Sequence, residues 1–167
     1  MRPLLPAICC LLICPAAAQT TKPRKLKINS NAALFEKLMD GLNARQLLKL
    51  YRTDLKLIRV TRNRHEPAVR DSLLQVKTPA DRLTLFKNRY NAQLCEATIT
   101  STKVRFAGLH TRVRRVNFCQ KLHLKPGYDQ YVITDGVENF VQLTFAFAGG
   151  KLKNVEYREL LDIDAID

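Results

Sequence analysis

The spacing of apolar residues predicts helices in the first part of the chain and strands in the second. Leu34, Leu38 and Leu42 recur at the three- to four-residue spacing of one helical face, which predicts a first helix. Asn43 can cap a second, shorter helix over the sequence ARQLLKLY, and Asp54 follows in a predicted turn. The chain is therefore expected to begin its fold with two consecutive helices.

Extended structure is predicted to begin at Leu55, whereas the polar region 61–77 gives no firm assignment. A third helix is predicted from Thr78 to Tyr90, because Thr78 can act as an N-cap and Pro79 suits the first helical turn.

After residue 91 the apolar residues alternate, as in strands. The sequences CEATITSTKVRFAG and VNFCQKLHL predict two strands, with a bulge at Arg114 and Arg115 where the alternation slips. Turn signals at 135–136 and 149–150 separate further strands. Helices followed by strands are typical of an α+β domain. We expect the N-terminal helices to pack in a strongly curved antiparallel sheet.

The first 18 residues have the pattern of a signal peptide. Arg2 supplies a positive charge, residues 4–14 are mostly apolar, and small residues occupy 16–18. The alternative is a buried N-terminal helix. Since the apolar run is shorter than the roughly 20 residues that span a bilayer, we expect a cleaved leader and a secreted, extracellular protein.

Two cysteines, Cys95 and Cys119, follow the predicted leader. In an oxidising compartment a disulfide between them is expected, and the alternative is two free buried thiols. Both cysteines lie twelve residues from Ala107, so a hairpin centred there would place them opposite each other.

The chain is basic, with 28 Lys and Arg against 15 Asp and Glu. Residues 19–125 hold 24 basic and 7 acidic side chains, whereas residues 126–167 hold 3 and 8. Residues 19–30 are predicted to form a flexible basic arm, and 161–167 an acidic tail. This asymmetry indicates either a polyanion partner or ordinary solubility. The candidate polyanion-binding residues are Arg62, Arg64, Arg112, Arg114 and Arg115.

The sequence FEKLMDGLNARQLLKLYRTDLKLIRV resembles the start of nuclear transport factor 2-like domains. These commonly open with an amphipathic helix, a segment of the pattern N-A-R-D…L-L-x-L-Y-x-x-D and a first strand. The matching residues are Asn43, Ala44, Arg45, Leu47, Leu48, Leu50, Tyr51 and Asp54, while Gln46 stands where the family often has an acidic residue. The order of elements over about residues 31–160 resembles small secreted versions of this family, which have one disulfide.

The resemblance implies a strongly curved, cone-like sheet around a cavity. In that family the cavity holds a steroid-like molecule, a polyketide or nothing. Tyr51 would lie near the mouth of that cavity. Tyr90 and Tyr157 could donate hydrogen bonds to a ligand, or serve as amphipathic core residues. Sheet-to-sheet dimers are common in the family, so a homodimer is one expectation.

Enzymes of this superfamily place acid and base residues inside the cavity. The pair that this chain offers is Asp54 with His65 or His123, and the alternative for Asp54 is a turn residue. No metal site or cofactor is predicted, because the histidines and cysteines lack metal-ligand spacing. The sequence contains no P-loop, nucleophile elbow or dinucleotide-binding motif.

Three functions are compatible with these residues. The first is a secreted, non-enzymatic domain that binds a small apolar ligand or a macromolecular partner. The second is a secreted protein that binds a polyanion such as an acidic polysaccharide, and the third is an isomerase- or dehydratase-like enzyme. Nucleic acid is disfavoured because aromatic residues are not interleaved with the basic clusters. After the leader, no run is long and apolar enough to span a membrane.

Overall fold

The structure, a computed structural model, describes residues 22–29, 32–136 and 140–159. The predicted leader at 1–18 and the predicted acidic tail at 161–167 lie outside the described residues. The elements are, in chain order, β1 (Lys25–Asn29), α1 (Ala32–Met39), a 3-10 helix (Asp40–Leu42), α2 (Ala44–Leu50), β2 (Leu55–Arg62), β3 (Arg70–Lys77), β4 (Asp81–Lys87), β5 (Ala92–Ile99), α3 (Arg115–Leu122), β6 (Gln130–Thr134), β7 (Val141–Ala148) and β8 (Lys151–Glu159).

The strands form one sheet in the order β1-β6-β7-β8-β5-β4-β3-β2. The predicted α+β class is confirmed. The predicted cone is wrong, because the sheet is neither strongly curled nor closed and β1 and β2 remain as its two edges. The sheet is also mixed rather than purely antiparallel, since β1 runs parallel to β6.

One face of the sheet carries the hydrophobic core. Phe145, Val155, Ile99 and Asp81 are successive cross-strand partners from β7 to β4, and all four are buried. Residues beside them on each strand alternate between this face and the more exposed face, as the pleat requires. The burial pattern therefore defines the side of the sheet on which the core lies.

The two predicted N-terminal helices are confirmed. Leu38 and Leu42 are buried, as their helical spacing indicated, and Leu47 anchors α2 in the same core. The side chain of Asn43 accepts a hydrogen bond from the backbone N–H of Arg45 at 3.0 Å, so Asn43 is the N-cap of α2.

The 3-10 helix packs directly against the loop that follows β5. A Cβ atom at Gly41 would lie only 1.7 Å from the backbone oxygen of Arg105. Since a backbone oxygen cannot rotate away as a side chain can, only glycine fits at this position.

Residues 78–90 do not form the predicted third helix. The Thr78 hydroxyl accepts hydrogen bonds from the N–H groups of Ala80 and Asp81, as a helix N-cap would. The chain then enters strand β4 instead, where Leu83 and Leu85 are buried at the two-residue spacing of a strand. The same local turn can precede a helix or a strand, and cross-strand pairing selects the strand here.

The predicted strand VNFCQKLHL is also wrong, because it contains helix α3. Phe118 and Leu122 are one helical turn apart and buried, whereas Val116 is 67% exposed. Arg114 is the extended N-cap of this helix rather than part of a bulge, and His123 ends it in the left-handed conformation at φ 54°.

The hairpin that would have brought Cys95 and Cys119 together is consequently not formed. Cys95 lies on β5 and Cys119 on α3, and both are buried free thiols. The Cys119 thiol donates a hydrogen bond to the Tyr131 hydroxyl oxygen at 3.1 Å. Burial raises the pKa of the Cys95 thiol.

The predicted flexible arm is wrong over Lys25–Asn29, which form β1. The backbone oxygen of Arg24 accepts hydrogen bonds from the N–H groups of Asp129 and Gln130, which fixes the entry to this strand. Strand β3 falls within the region that the sequence left unassigned. The hairpin predicted around 149–150 is confirmed, with φ values of 57° and 71° at Gly149 and Gly150.

Candidate functional site

The residues proposed for acid–base chemistry lie on three separate connections. Asp54 lies in the turn before β2, His65 in the loop between β2 and β3, and His123 at the end of α3. Within the described ranges, no hydrogen bond or ion pair joins two of these side chains. The arrangement gives the predicted catalytic pair no supporting contact.

Tyr51 lies in the core and anchors α2 to the sheet. Its hydroxyl donates a hydrogen bond to Asp81 Oδ2 at 2.6 Å, and both side chains are buried. The other carboxylate oxygen, Asp81 Oδ1, accepts from the N–H groups of Thr100 and Ser101 at 3.0 and 2.9 Å. This network joins α2, β4 and the end of β5, which explains Tyr51 as a structural residue.

The protonation states of this pair are set by its surroundings. Burial acts to raise the pKa of Asp81, but the hydrogen bonds from Ser101, Tyr51 and Thr100 outweigh it, and the pKa is lowered. Burial, with the hydrogen bond to Asp81 as the next cause, raises the pKa of Tyr51. Asp81 is therefore an ionised acceptor and Tyr51 a neutral donor at neutral pH.

The other two tyrosines lie in different surroundings. Tyr157 is buried, and its hydroxyl donates to Glu159 Oε1 at 3.3 Å. Tyr90 is 57% exposed, and its hydroxyl donates to the Glu66 carboxylate at 2.9 and 3.0 Å. The expectation that Tyr90 packs in the core is wrong. Tyr51, Tyr90 and Tyr157 therefore do not line a common ligand cavity.

Aromatic rings fill the core between α3 and the sheet. Phe118 lies 5.0 Å from Phe145, 5.1 Å from Phe147 and 5.6 Å from Tyr131, measured between ring centroids. Phe106 lies 5.4 Å from Phe145 on the other side. Contacts at these spacings stabilise the core.

Arg115 is a structural residue. Its guanidinium donates to Asp129 Oδ1 at 3.1 Å and to the backbone oxygen of Tyr128 at 3.0 Å. The side chains of Arg112 and Arg114 are exposed nearby, beside the start of β8.

The predicted arginine clusters do not converge. Arg62 ends β2 and Arg64 lies just beyond it, whereas the 112–115 cluster lies at the start of β8. Strands β8 and β2 run in the same direction and are separated by β5, β4 and β3. The two clusters therefore lie at opposite ends of the sheet.

A different group of cations surrounds a groove between α2 and the β4–β5 turn. This groove, which we call the basic groove, has a volume of about 360 Å³. Its lining residues are Arg45, Leu48, Lys49, Lys87, Asn88, Arg89, Tyr90, Asn91 and Ala92.

Helix α2 forms one wall of the basic groove. Arg45 and Lys49 are four residues apart, so they project from the same side of the helix. Leu47 is buried and Leu48 is partly buried against the core, which holds the helix in this orientation.

The β4–β5 turn forms the other wall and carries Lys87 and Arg89. The Asn88 side-chain oxygen accepts hydrogen bonds from the N–H groups of Tyr90 and Asn91 at 2.9 and 2.8 Å. Asn88 Nδ2 donates to Asp71 on the neighbouring strand at 3.1 Å. These bonds fix the turn, and with it the position of the two cations.

The charges of the basic groove are not balanced by its own walls. Among the described residues, its lining holds four cations and no carboxylate. In the described ranges, none of the four takes part in an ion pair. The acids attached to this turn, Glu66 and Asp71, already accept hydrogen bonds from Tyr90, Asn63 and Asn88. An anionic ligand would therefore meet uncompensated positive charge here.

A second, smaller groove lies on the other side of α2. It has a volume of about 250 Å³ and is lined by Gly41, Gln46, Leu47, Leu50, Lys103, Val104 and Arg105. Lys103 Nζ lies 5.6 Å from the centre of the Tyr51 ring. Within the part of the chain that the structure describes, both sides of α2 thus present cations and no acidic lining residue.

Comparisons of the chain with models of known protein families, with curated proteins and with solved structures find no match. The resemblance to nuclear transport factor 2-like domains stays a prediction. None of the helices in the described ranges is both long enough and apolar enough to cross a bilayer. Within those ranges, no three metal-binding side chains gather into a cluster.

Sequence reasoning missed the basic groove because its walls are some 40 residues apart in the chain. Lys87 and Arg89 were assigned to a helix, so their turn was not recognised. The pair of asparagines in KNRYNA was the available signal, since asparagine side chains often close turns by bonding to nearby N–H groups.

Proposed function

We propose that the protein is a non-enzymatic module that binds a linear polyanion of the sulfated-glycan class in the basic groove. The observation that carries this proposal is a groove lined by Arg45, Lys49, Lys87 and Arg89, with no carboxylate among its described lining residues.

The groove suits a chain of separate anionic groups better than one small anion. Arg45 and Lys49 rise about 6 Å apart along α2, while Lys87 and Arg89 come from the opposite wall. Sulfate groups along a glycan could contact both walls in turn. The arginine guanidiniums can bind a sulfate through two parallel hydrogen bonds. Such a complex should weaken steeply with salt, because binding releases counterions.

The second groove extends the same surface. Lys103 and Arg105 lie across α2 from the basic groove, so a longer polyanion could pass over the helix and contact both. Leu50, which is 46% exposed, lies on that path. The proposed ligand is therefore longer than a disaccharide.

Nucleic acid has less support than a glycan. Tyr90 is the one aromatic residue among the described residues that line the two grooves. Its ring lies 5.7 Å from the Arg89 guanidinium, and its hydroxyl donates a hydrogen bond to Glu66. Binding of single-stranded nucleic acid commonly uses several aromatic platforms.

The other two functions also have less support. A small apolar ligand would need space in a core where aromatic rings already pack at 5.0 to 5.7 Å. An enzyme would need a partner for Asp54 that the described contacts do not supply. The proposal includes export, since sulfated glycans are extracellular and the sequence predicts a leader at 1–18.

Retention on immobilised heparin tests the proposal. The groove variant Arg45→Gln/Lys49→Gln/Lys87→Gln/Arg89→Gln should elute at clearly lower salt than the unchanged protein. The matched control Arg112→Gln/Arg114→Gln/Lys151→Gln/Lys153→Gln removes the same charge from exposed side chains elsewhere. It should elute close to the unchanged protein. Equal shifts in both variants would show a bulk-charge effect and contradict a specific groove.

A further inference from the structure

Strand β2 is an edge strand with an exposed apolar surface. Among the strands of the described residues, it pairs with β3 on one side and ends the sheet on the other. Leu57, Ile58 and Val60 are 60%, 54% and 45% exposed. An exposed apolar group on an unpaired strand edge commonly marks a site of association.

The exposed residues of β2 are divided between its two faces. Leu57 and Val60 pair with Leu74 and Ser72, which share the core-side face of β3. Lys56 and Arg59 pair with residues of the opposite face. Around the middle of β2, the outer edge therefore presents Leu57 and Val60 on one face and Lys56 and Arg59 on the other, while Arg62 at the end of the strand shares the face of Val60.

These cations disfavour pairing with a second β2 strand. Two antiparallel β2 edges side by side would bring Lys56 and Arg59 close to the same residues of the partner, and like charges across strands are destabilising. The register shift between Leu57 and Arg59 also interrupts a continuous ladder. An added strand with acidic side chains would avoid the repulsion between like charges. It would also avoid pairing two edges that both contain the register shift.

The chain itself contains a complementary segment. Residues 160–167, LLDIDAID, come directly after β8. In an extended conformation Leu161, Ile163 and Ala165 would lie on one face, with Asp162 and Asp164 on the other. This alternation matches the apolar and basic faces of β2.

The segment cannot pair with β2 of its own chain over a useful length. Three strands separate β8 from β2. That places the two about 19 Å apart at ordinary strand spacing, and eight extended residues reach at most about 29 Å. Of residues 160–167, only about three would remain for pairing. A second copy of the chain is therefore the source that fits.

We infer that residues 160–167 of a second copy add to the outer edge of β2 as a ninth strand. The backbone groups at that edge gain partners, Leu57 and Val60 are covered by the apolar face of the added strand, and Lys56 and Arg59 lie beside its aspartates. Reciprocal exchange between two copies gives a closed dimer.

One competing position for the segment is the basic groove of its own chain. Glu159 is hydrogen bonded to Gln93 at the start of β5, close to Ala92 in that groove. The basic groove offers positive charge to the aspartates of the segment. Its described lining offers no unpaired strand edge with which the alternating apolar and acidic residues could pair. Binding there would leave the chain monomeric, and this outcome would overturn the inference.

Sedimentation velocity of the full chain over a range of concentrations provides the test. We expect a concentration-dependent dimer. Lys56→Glu/Arg59→Glu should weaken it about tenfold or more, because two attractive cross-strand pairs become repulsive. Asp162→Lys/Asp164→Lys should weaken it similarly, and the variant carrying all four changes should recover the dimer.

The control Lys151→Glu/Lys153→Glu makes the same charge change on exposed residues of β8 and should leave the dimer unaffected. Circular dichroism will show whether each variant keeps its fold, which we expect because the altered β2 side chains are exposed. A monomer at all concentrations would overturn the inference. So would a dimer that the fourfold variant fails to recover, or one that the control weakens as much.

Discussion

The buried hydrogen bond between Tyr51 and Asp81 provides a quantitative test of how α2 is attached to the sheet. The substitution Tyr51→Phe removes the hydroxyl that donates to Asp81 Oδ2 at 2.6 Å and leaves the ring in place. Tyr51 has no measurable exposure and Asp81 is 3% exposed, so water cannot readily replace the lost donor.

The expected loss depends on the charge of the acceptor. A hydrogen bond to a charged group contributes about 1.5–3 kcal/mol, and a buried carboxylate that loses one donor lies towards the upper end of that range. We therefore expect Tyr51→Phe to lower the free energy of unfolding by about 2–3 kcal/mol. For a chain of this size the corresponding fall in Tm is about 5–10 °C.

Urea unfolding monitored by circular dichroism measures this loss. Tyr90→Phe is the matched control, because it removes the same atom from an exposed tyrosine whose partner, Glu66, is also exposed. We expect an effect of about 0.5 kcal/mol or less there. Equal losses in the two variants would refute the assignment of Tyr51 as a buried anchor.

The same variant has a predicted pH dependence. The pKa of Asp81 is lowered in the folded protein, so its contribution to stability is present above the unfolded-state pKa of about 4 and is lost as the pH falls through the folded-state pKa. The stability difference between Tyr51→Phe and the unchanged protein should therefore shrink under acid conditions. A difference that stays constant well below pH 4 would contradict this cause.

Three further predictions concern packing and the thiols. Gly41→Ala should destabilise the protein by about 3 kcal/mol or more in the same urea assay, because its Cβ would overlap the backbone oxygen of Arg105; a neutral effect would contradict this close approach. Phe118→Ala should cost about 3–5 kcal/mol, whereas Val116→Ala on the exposed side of α3 should cost well under 1 kcal/mol; similar losses would contradict the orientation of the helix. Mass spectrometry after alkylation of unreduced, denatured protein should find both Cys95 and Cys119 modified, and recovery of a disulfide between them would contradict the placement of α3.

Part of this fold could be predicted from the sequence because local signals and tertiary structure agree there. Helices α1 and α2 have leucines at helical spacing and a capping asparagine at 43. The β7–β8 hairpin has alternating apolar residues on both sides of Gly149 and Gly150. At these positions the local preference and the buried face indicate the same structure.

The errors occurred where one local pattern serves two structures. The Thr78 turn satisfies backbone N–H groups in the same way before a helix or a strand, and Leu83 and Leu85 pack in β4 only because β3 and β5 flank it. In α3, the apolar residues Val116, Phe118 and Leu122 are spaced by even numbers and so resemble one face of a strand. The same sequence places Phe118 and Leu122 four residues apart, which is about one helical turn. Partners distant in sequence decide both cases.

The basic groove could not be predicted for a related reason. Arg45 and Lys49 are recognisable as neighbours on a helix, but their approach to Lys87 and Arg89 depends on the position of the β4–β5 turn relative to α2. The arginines within each cluster that the sequence emphasised are close in sequence, but the sheet order places the two clusters at opposite ends. Charge density along the chain was therefore a poor guide to charge density on the surface.

The most direct test of the proposed function is an NMR titration of the ¹⁵N-labelled protein with a heparin oligosaccharide. The largest shifts are expected at the amides of residues 45–49 and 87–92, which form the two walls of the basic groove. These shifts should disappear as salt is raised. Largest shifts at residues 112–115 and 151–153, or no saturable shifts at low salt, would contradict the assignment of the groove as the binding site.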